Sequence, residues 1–123
     1  MENQLTENQI SNYQTEGFLS PVKVFTNREV SSIRTHFENF EKHFGGINEA
    51  ASFRTDLHLL QDWAWSVNNE SRIVTPITQI LGTNVLLWST QWFIKEPGDK
   101  KVVSFHQDAN YWGLEPHDVA TAW

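Results

Sequence analysis

The stretch Val102-Val103-Ser104-Phe105-His106-Gln107-Asp108 runs from apolar residues directly into a His-Gln-Asp tripeptide. The alternation of side chains along a strand would place His106 and Asp108 on one face, with their Cα atoms about 7 Å apart. An imidazole nitrogen and a carboxylate oxygen can reach one cation from these positions. The pattern therefore contains two of the three ligands of a two-histidine, one-carboxylate iron site. A purely structural His-Asp hydrogen bond is the alternative, because this tripeptide alone is a weak motif.

The composition is typical of one small globular domain over residues 1–123, with 39% hydrophobic and 20% charged residues. The net charge of −6 and the absence of a basic cluster exclude nucleic acid as a main partner. The chain has no cysteine, so disulfides, thiolate metal sites and a cysteine nucleophile are excluded. Because the sequence shows neither a signal peptide nor an apolar run long enough to cross a bilayer, we expect a cytoplasmic protein with no membrane span.

Two capping boxes mark the starts of predicted helices. In each, a threonine is followed three residues later by a glutamine or glutamate, at Thr6 and again at Thr26. The first box predicts a helix over residues 6–16. The second predicts a longer helix whose apolar residues recur at spacings of three and four, ending at Gly45-Gly46. A short helical turn is also possible within residues 61–66.

A third helix is predicted over residues 70–81, where isoleucines, a valine and a leucine share one face. Pro76 lies inside this pattern and cannot donate a helical hydrogen bond, which predicts that the regular helix begins near Thr75. Residues 1–82 are thus expected to be mainly helical. Within them, Arg54 and Asp56 lie two residues apart and are interpreted as a surface ion pair.

From residue 84 onward, the pattern changes to the period of a strand. Apolar and polar side chains alternate over residues 84–95, a Pro-Gly-Asp-Lys turn follows at 97–100, and residues 102–108 form a second extended run. Residues 83–123 are therefore predicted to supply the first strands of the core. Helices followed by strands and turns favour an α+β fold with an antiparallel sheet.

Several phrases of the chain resemble the phytanoyl-CoA dioxygenase family of Fe(II)- and 2-oxoglutarate-dependent oxygenases. The resemblance covers nearly the whole chain and is strongest over residues 81–123. The phrases that carry it are Gly17-Phe18-Leu19, Leu81-Gly82, Phe93-Ile94-Lys95-Glu96-Pro97-Gly98, His106-Gln107-Asp108, Tyr111-Trp112-Gly113-Leu114 and Thr121-Ala122-Trp123.

The resemblance implies N-terminal helices packed on an incomplete double-stranded β-helix, the jelly-roll or cupin-like core of that family. His106 and Asp108 match the first two iron ligands. Trp123 and Gln91 match residues that line the 2-oxoglutarate pocket, and Lys95 is a further candidate there. The implied activity is hydroxylation of an unactivated C–H bond of a small organic or acyl substrate by O₂, because halogenating relatives have a small residue where this chain has Asp108.

The resemblance also implies that part of the iron site lies elsewhere. The family's distal histidine ligand and the arginine that binds the far carboxylate of 2-oxoglutarate come well after the position of Trp123. We therefore expect that residues 1–123 match the N-terminal portion of an oxygenase and would be inactive, aggregated or partly molten if produced alone. His58 lies in a His-Leu phrase of bacterial relatives and is a weaker pocket candidate.

Two non-catalytic alternatives remain at this stage. The first is a jelly-roll or cupin-like binding module, in which His106 and Asp108 form a structural pair beside the aromatic Tyr111 and Trp112. The second is an α+β interaction domain whose aromatic strand faces contact a partner chain. The sequence does not indicate the oligomeric state.

Overall fold

A computed structural model describes residues 4–123 of the chain, and all side chains in that range except those of residues 109 and 110. The order of elements is helical throughout. Five α-helices are present, with two short 3₁₀ helices between the second and the third. The α-helices are α1 (Glu7–Glu16), α2 (Asn27–His43), α3 (Asp62–Asn68), α4 (Ser71–Leu81) and α5 (Ala109–Trp112), and the 3₁₀ helices are Glu49–Phe53 and Leu57–Leu59.

Both predicted capping boxes are confirmed. The Thr6 side chain accepts from the backbone N–H of Gln9, and the Gln9 side chain accepts from the backbone N–H of Thr6. Thr26 and Glu29 make the same reciprocal pair at the start of α2. Each box satisfies two N–H groups that a helix start would otherwise leave without a partner, which is why the sequence fixes these boundaries closely.

The third predicted helix is present as α4, but it begins at Ser71 rather than near Thr75. The Glu70 side chain accepts from the backbone N–H of Arg72 at its start, and the helix continues through the buried Pro76. Near its other end, the Gln79 side chain accepts from the backbone N–H of Leu5 at 2.7 Å and donates to the Leu5 carbonyl at 3.1 Å. This paired contact joins the start of the chain to α4.

The core lies where α2 meets the 3₁₀ helices and α3. Its buried members are Phe37, Phe40, Ala50, Leu57 and Ala64, and Trp63, Trp92, Phe44 and Ile94 pack against them. The Phe37 ring stacks on the Trp92 ring at a centroid distance of 5.0 Å and lies edge-on to the Trp63 ring at 6.5 Å. The apolar stripe that the sequence predicted on α2 therefore supplies the centre of the core.

The predicted α+β fold with a jelly-roll core is wrong for the described residues. Within residues 4–123, the structure contains no β-strand and no sheet, and the pairing is limited to one isolated antiparallel bridge between Thr55 and Gln91. The expected hairpin over residues 84–108 does not form a ladder. An alternating pattern specifies which faces a segment can bury, but a ladder also needs a neighbouring backbone whose N–H and C=O groups are in register.

None of the helices within residues 4–123 is long and apolar enough to span a membrane.

An ion-pair cluster joins the start of α2 to the start of α4. The Arg72 guanidinium lies 2.7 Å from Glu29 and 2.9 Å from Glu70, and it also lies over the Phe25 ring. The pKa of the Glu29 and Glu70 carboxyl groups is lowered from 4.5 to about 2, mainly by the hydrogen bonds from Arg72. Both carboxylates thus hold their charge in the folded protein at a pH where the unfolded chain would bind protons.

We expect this cluster to make the protein sensitive to acid. Since each folded pKa lies below the unfolded value, the stabilisation is complete above about pH 5 and is lost as the pH falls towards 2. Arg72→Leu should lower the urea concentration at the midpoint of unfolding at pH 7. Between pH 5 and pH 2, this midpoint should fall less in the variant than in the wild type. Arg28→Leu removes the same charge from an exposed position on α2 and should leave the decline unchanged. An equal fall of the urea midpoint between pH 5 and pH 2 in the two variants would contradict this prediction.

Candidate functional site

The two predicted metal ligands are in contact where the irregular segment 102–108 meets α5. His106 Nε2 is 3.1 Å from Asp108 Oδ1, and about 30% of the His106 side chain and 31% of the Asp108 side chain are exposed. Both donor atoms are therefore reachable from solvent without movement of the core. The two side chains are in contact although residues 102–108 form no strand, and their role as metal ligands stays a prediction.

The tautomer of His106 follows from its other contact. Nδ1 lies 2.8 Å from the carbonyl oxygen of Ser104, which can only accept, so Nδ1 carries the hydrogen. In the neutral ring, Nε2 then directs a lone pair towards a carboxylate oxygen, and a positive charge is needed between them. The Ser104 carbonyl, and to a lesser extent Asp108, raise the pKa of His106 above its ordinary value, so a proton is one such charge.

The second oxygen of Asp108 is also held. The Thr121 hydroxyl donates to Asp108 Oδ2 at 2.8 Å, which leaves Oδ1 to face His106. Ligating carboxylates and imidazoles in metal sites are oriented by such outer hydrogen bonds, in which the histidine donates its other N–H to a carbonyl. Ser104 and Thr121 thus fix the direction of one donor atom each.

The 3.1 Å between His106 Nε2 and Asp108 Oδ1 is the length of a direct hydrogen bond, and it equally suits two ligands of one cation. Two ligand atoms that each lie about 2.1 Å from one cation, at right angles, are about 3.0 Å apart. The observed separation of 3.1 Å matches that spacing. Two protein donors are not a complete site, however, and within residues 4–123 no group of three or more His, Asp or Glu side chains is placed to hold a metal ion.

The residues predicted to bind 2-oxoglutarate lie along one segment and its aromatic neighbour. The Trp123 ring stacks on the Phe93 ring at 5.3 Å and an angle of 19°. Phe93 lies between Gln91 and Lys95 in the chain, and all three side chains are exposed, whereas Trp92 and Ile94 turn towards the core. Because Thr121 contacts Asp108 and Trp123 contacts Phe93, residues 121–123 link the His106–Asp108 pair to this segment.

Backbone contacts that the sequence did not reveal also hold this segment. Residues 54–58 lie against residues 89–92, and we call these two segments together the latch. Asp56 N donates to the Thr90 carbonyl at 2.8 Å, and the Asp56 carboxylate accepts from Thr90 N and from the Ser89 hydroxyl. Trp92 N donates to the Arg54 carbonyl at 3.1 Å.

The structure corrects one interpretation of the sequence. Arg54 does not pair with Asp56; its guanidinium bonds Glu41 at 3.0 Å and the Ile47 carbonyl at 2.7 Å. Asp56 has a left-handed backbone (φ 53°), and its contacts with Thr90 lower the pKa of its carboxyl group. His58, the weaker pocket candidate, is buried, and its Nδ1 lies 2.8 Å from the Thr90 hydroxyl.

Two open grooves flank α2. One, of about 290 Å³, lies beside His36, His43 and Trp63, and the other, of about 350 Å³, lies beside Phe25 and Arg72. Neither groove is lined by a residue predicted to bind iron or 2-oxoglutarate. The concave surfaces on the helical half are thus separate from the His106–Asp108 pair.

No family model, curated protein or solved structure matches the chain.

Proposed function

We propose that the protein is an Fe(II)- and 2-oxoglutarate-dependent dioxygenase that hydroxylates a small organic or acyl substrate with O₂. The observation that carries the proposal is the His106–Asp108 pair. Its facing donor atoms are 3.1 Å apart, and each residue is oriented by a separate hydrogen bond, from the ring to Ser104 and from Thr121 to the carboxylate. We place this activity in the cytoplasm, in keeping with a chain that has no cysteine.

The chain's own residues have distinct roles in this proposal. His106 and Asp108 hold the iron, and the Ser104 carbonyl keeps the His106 lone pair on Nε2. Gln91 and Lys95 offer N–H donors to the carboxylates of 2-oxoglutarate. Iron, when bound, supplies the activation of O₂ and the oxidation of the substrate that accompany decarboxylation of 2-oxoglutarate.

An aromatic surface beside these polar groups supports the same proposal. The stacked rings of Phe93 and Trp123 lie next in the chain to residues that can bind the co-substrate. Tyr111 lies edge-on to His106 at 5.9 Å and adds an apolar edge to the metal pair. In this proposal, the third iron ligand and the arginine for the far carboxylate come from outside residues 4–123.

The direct test is an assay of the full-length protein with Fe(II), 2-oxoglutarate and O₂. Even without the natural substrate, we expect slow succinate formation that requires all three components. Omission of iron, or its removal with a chelator, should reduce succinate to the background level, and added Fe(II) should restore it. Succinate formation that persists without iron, or no binding of Fe(II) at all, would refute the proposal.

A second candidate function is supported by exposed apolar side chains outside the metal pair. Leu86 is 85% exposed, Val102 is 86% exposed, and Phe105 is fully exposed. A non-catalytic interaction module would use such side chains to bind a partner chain. A full-length protein that forms a stable complex but binds neither Fe(II) nor 2-oxoglutarate would favour this function over the oxygenase.

A further inference from the structure

We propose that residues 84–89 are a self-association surface, through which two copies of the chain pair as antiparallel strands. This segment follows α4 and leads into the latch, and it belongs to no helix or strand. It is separate in the sequence from the His106–Asp108 pair, and its role does not depend on the oxygenase activity.

The backbone of this segment is available for pairing. No N–H or C=O group of residues 84–89 hydrogen-bonds a backbone group within residues 4–123. Just beyond it, Gln91 already forms the isolated antiparallel bridge with Thr55. The chain therefore enters strand pairing at residue 91, whereas residues 84–89 present backbone groups to which a further strand can be added.

The side chains of the segment are apolar and exposed. Leu86 is 85% exposed and Trp88 is 52% exposed, and Val85 and Leu87 are exposed as well. Single exposed apolar side chains are usual on a protein surface, but a run of four beside unpaired backbone is expected only where it has a function. In a paired sheet, the side chains of the facing strand cover such a run on both faces.

The surface area of the chain is large enough for a stable dimer. The accessible surface is 9819 Å², whereas a compact monomer of 14.3 kDa has about 6,800 Å². The excess of about 3,000 Å² is more than each chain of an obligate dimer typically buries, which is about 1,000–2,500 Å². Within residues 4–123, most of the exposed large apolar side chains lie beyond residue 84.

Charge favours a second copy as the occupant of this surface. The net charge of −6 makes two copies repel each other over most of their surfaces. Residues 73–94 contain no Asp, Glu, Lys or Arg and are the longest uncharged stretch of the sequence. Residues 84–89 lie inside this stretch, so their pairing brings no like charges together. Antiparallel pairing of a segment with its own copy has two-fold symmetry, the commonest symmetry of homo-oligomers.

The first test is analytical ultracentrifugation of the full-length protein, which we expect to be a dimer. Leu86→Lys should raise the dissociation constant of the dimer more than about 100-fold, because two-fold symmetry brings two like charges together in the interface. Leu59→Lys is the matched control, since Leu59 is 74% exposed and lies outside the segment, and it should change this constant less than about threefold. Both variants should keep the circular dichroism spectrum of the wild type, because neither leucine is buried.

The second test uses the absence of cysteine from the chain. Single-cysteine variants Val85→Cys, Leu86→Cys, Leu87→Cys and Trp88→Cys are each oxidised in dilute solution. Facing residues of an antiparallel pair lie within the Cα distance that a disulfide spans. Covalent dimers should therefore form most readily at one of these positions, or at two neighbouring ones, and less readily on either side. Leu59→Cys should form none above background.

The outcomes decide between this occupant and the others. A monomer, or an assembly larger than a dimer, would overturn the proposal, as would a dimer that both lysine variants weaken equally or cross-linking that is equal at all five positions. A monomer whose amide hydrogens at residues 84–89 exchange slowly would show that another segment covers them, and it would also overturn the proposal. A dimer that only Leu86→Lys disrupts, with a maximum of cross-linking within residues 85–88, supports it. None of these results changes the tests of Fe(II) and 2-oxoglutarate binding.

Discussion

Asp108→Ala is expected to abolish metal binding and turnover in the full-length protein. The substitution removes one of two protein donors that face each other across 3.1 Å, and it also leaves the Thr121 hydroxyl without its acceptor. Loss of an outer hydrogen bond to a metal ligand typically costs 10- to 100-fold in affinity, so loss of the ligand itself should exceed about 100-fold. Fe(II) affinity measured anaerobically, together with 2-oxoglutarate-dependent succinate formation, would measure the effect.

A matched control exists nearby in the chain. The Asp99 carboxylate accepts from the backbone N–H of Lys101 within a turn and does not contact His106 or Asp108. Asp99→Ala removes the same charge and should leave Fe(II) affinity within about twofold of the wild type. Unchanged Fe(II) binding by Asp108→Ala would assign the pair a structural role and would favour the non-catalytic function.

Phe37→Ala should have the largest effect on stability. Phe37 is 6% exposed, and its ring contacts those of Phe40, Trp63 and Trp92. Removal of a buried phenylalanine side chain costs about 3–5 kcal/mol, because the cavity that remains closes only in part. That is a large share of the usual stability of a small domain. Urea unfolding followed by circular dichroism should show a lower midpoint.

Phe18→Ala provides the comparison for this measurement. Phe18 precedes α2 and is 64% exposed, so the same truncation there should change the free energy of unfolding by less than about 1 kcal/mol. Similar losses from both substitutions would mean that the stacked rings around Phe37 do not form the stabilising core.

The helical half of the chain could be predicted from its sequence because its signals are local. The capping boxes at Thr6 and Thr26 fix helix starts through residues only three positions apart, and the apolar stripe of α2 identified Phe37 and Phe40 as core residues. The predicted start of α4 near Thr75 is wrong, because Pro76 does not interrupt this helix. Glu70 caps the helix upstream, and the remaining hydrogen bonds carry it through the proline.

The absence of the sheet could not be predicted, because strand pairing is not a local property. Alternation of burial is present over residues 90–95, where the latch holds the backbone, and Trp92 and Ile94 turn inwards there. It is lost earlier in the same pattern, where Leu86 and Trp88 are 85% and 52% exposed. An alternation with a period of two residues indicates which side chains can share a face. Whether a sheet forms depends on whether a second backbone lies alongside.

The site was predictable in one part and hidden in another. His106 and Asp108 are two residues apart, and their side chains are in contact although residues 102–108 form no strand; their role as metal ligands stays a prediction. The contacts of Thr55, Asp56 and His58 join residues that are 32 to 36 positions apart in the chain. No local sequence pattern predicts them. No feature of the sequence predicts the left-handed backbone of Asp56, since glycine rather than aspartate is the usual residue in that conformation.

The alternation at residues 91 and 92 has a consequence for genetic screens. Gln91 faces outwards in the latch, and its neighbour Trp92 stacks on Phe37 in the core. A core substitution that moves Trp92 therefore displaces the Gln91 amide through a single peptide unit. If the protein has the proposed oxygenase activity, variants selected for its loss should include many core positions, and second-site suppressors should act by restoring packing.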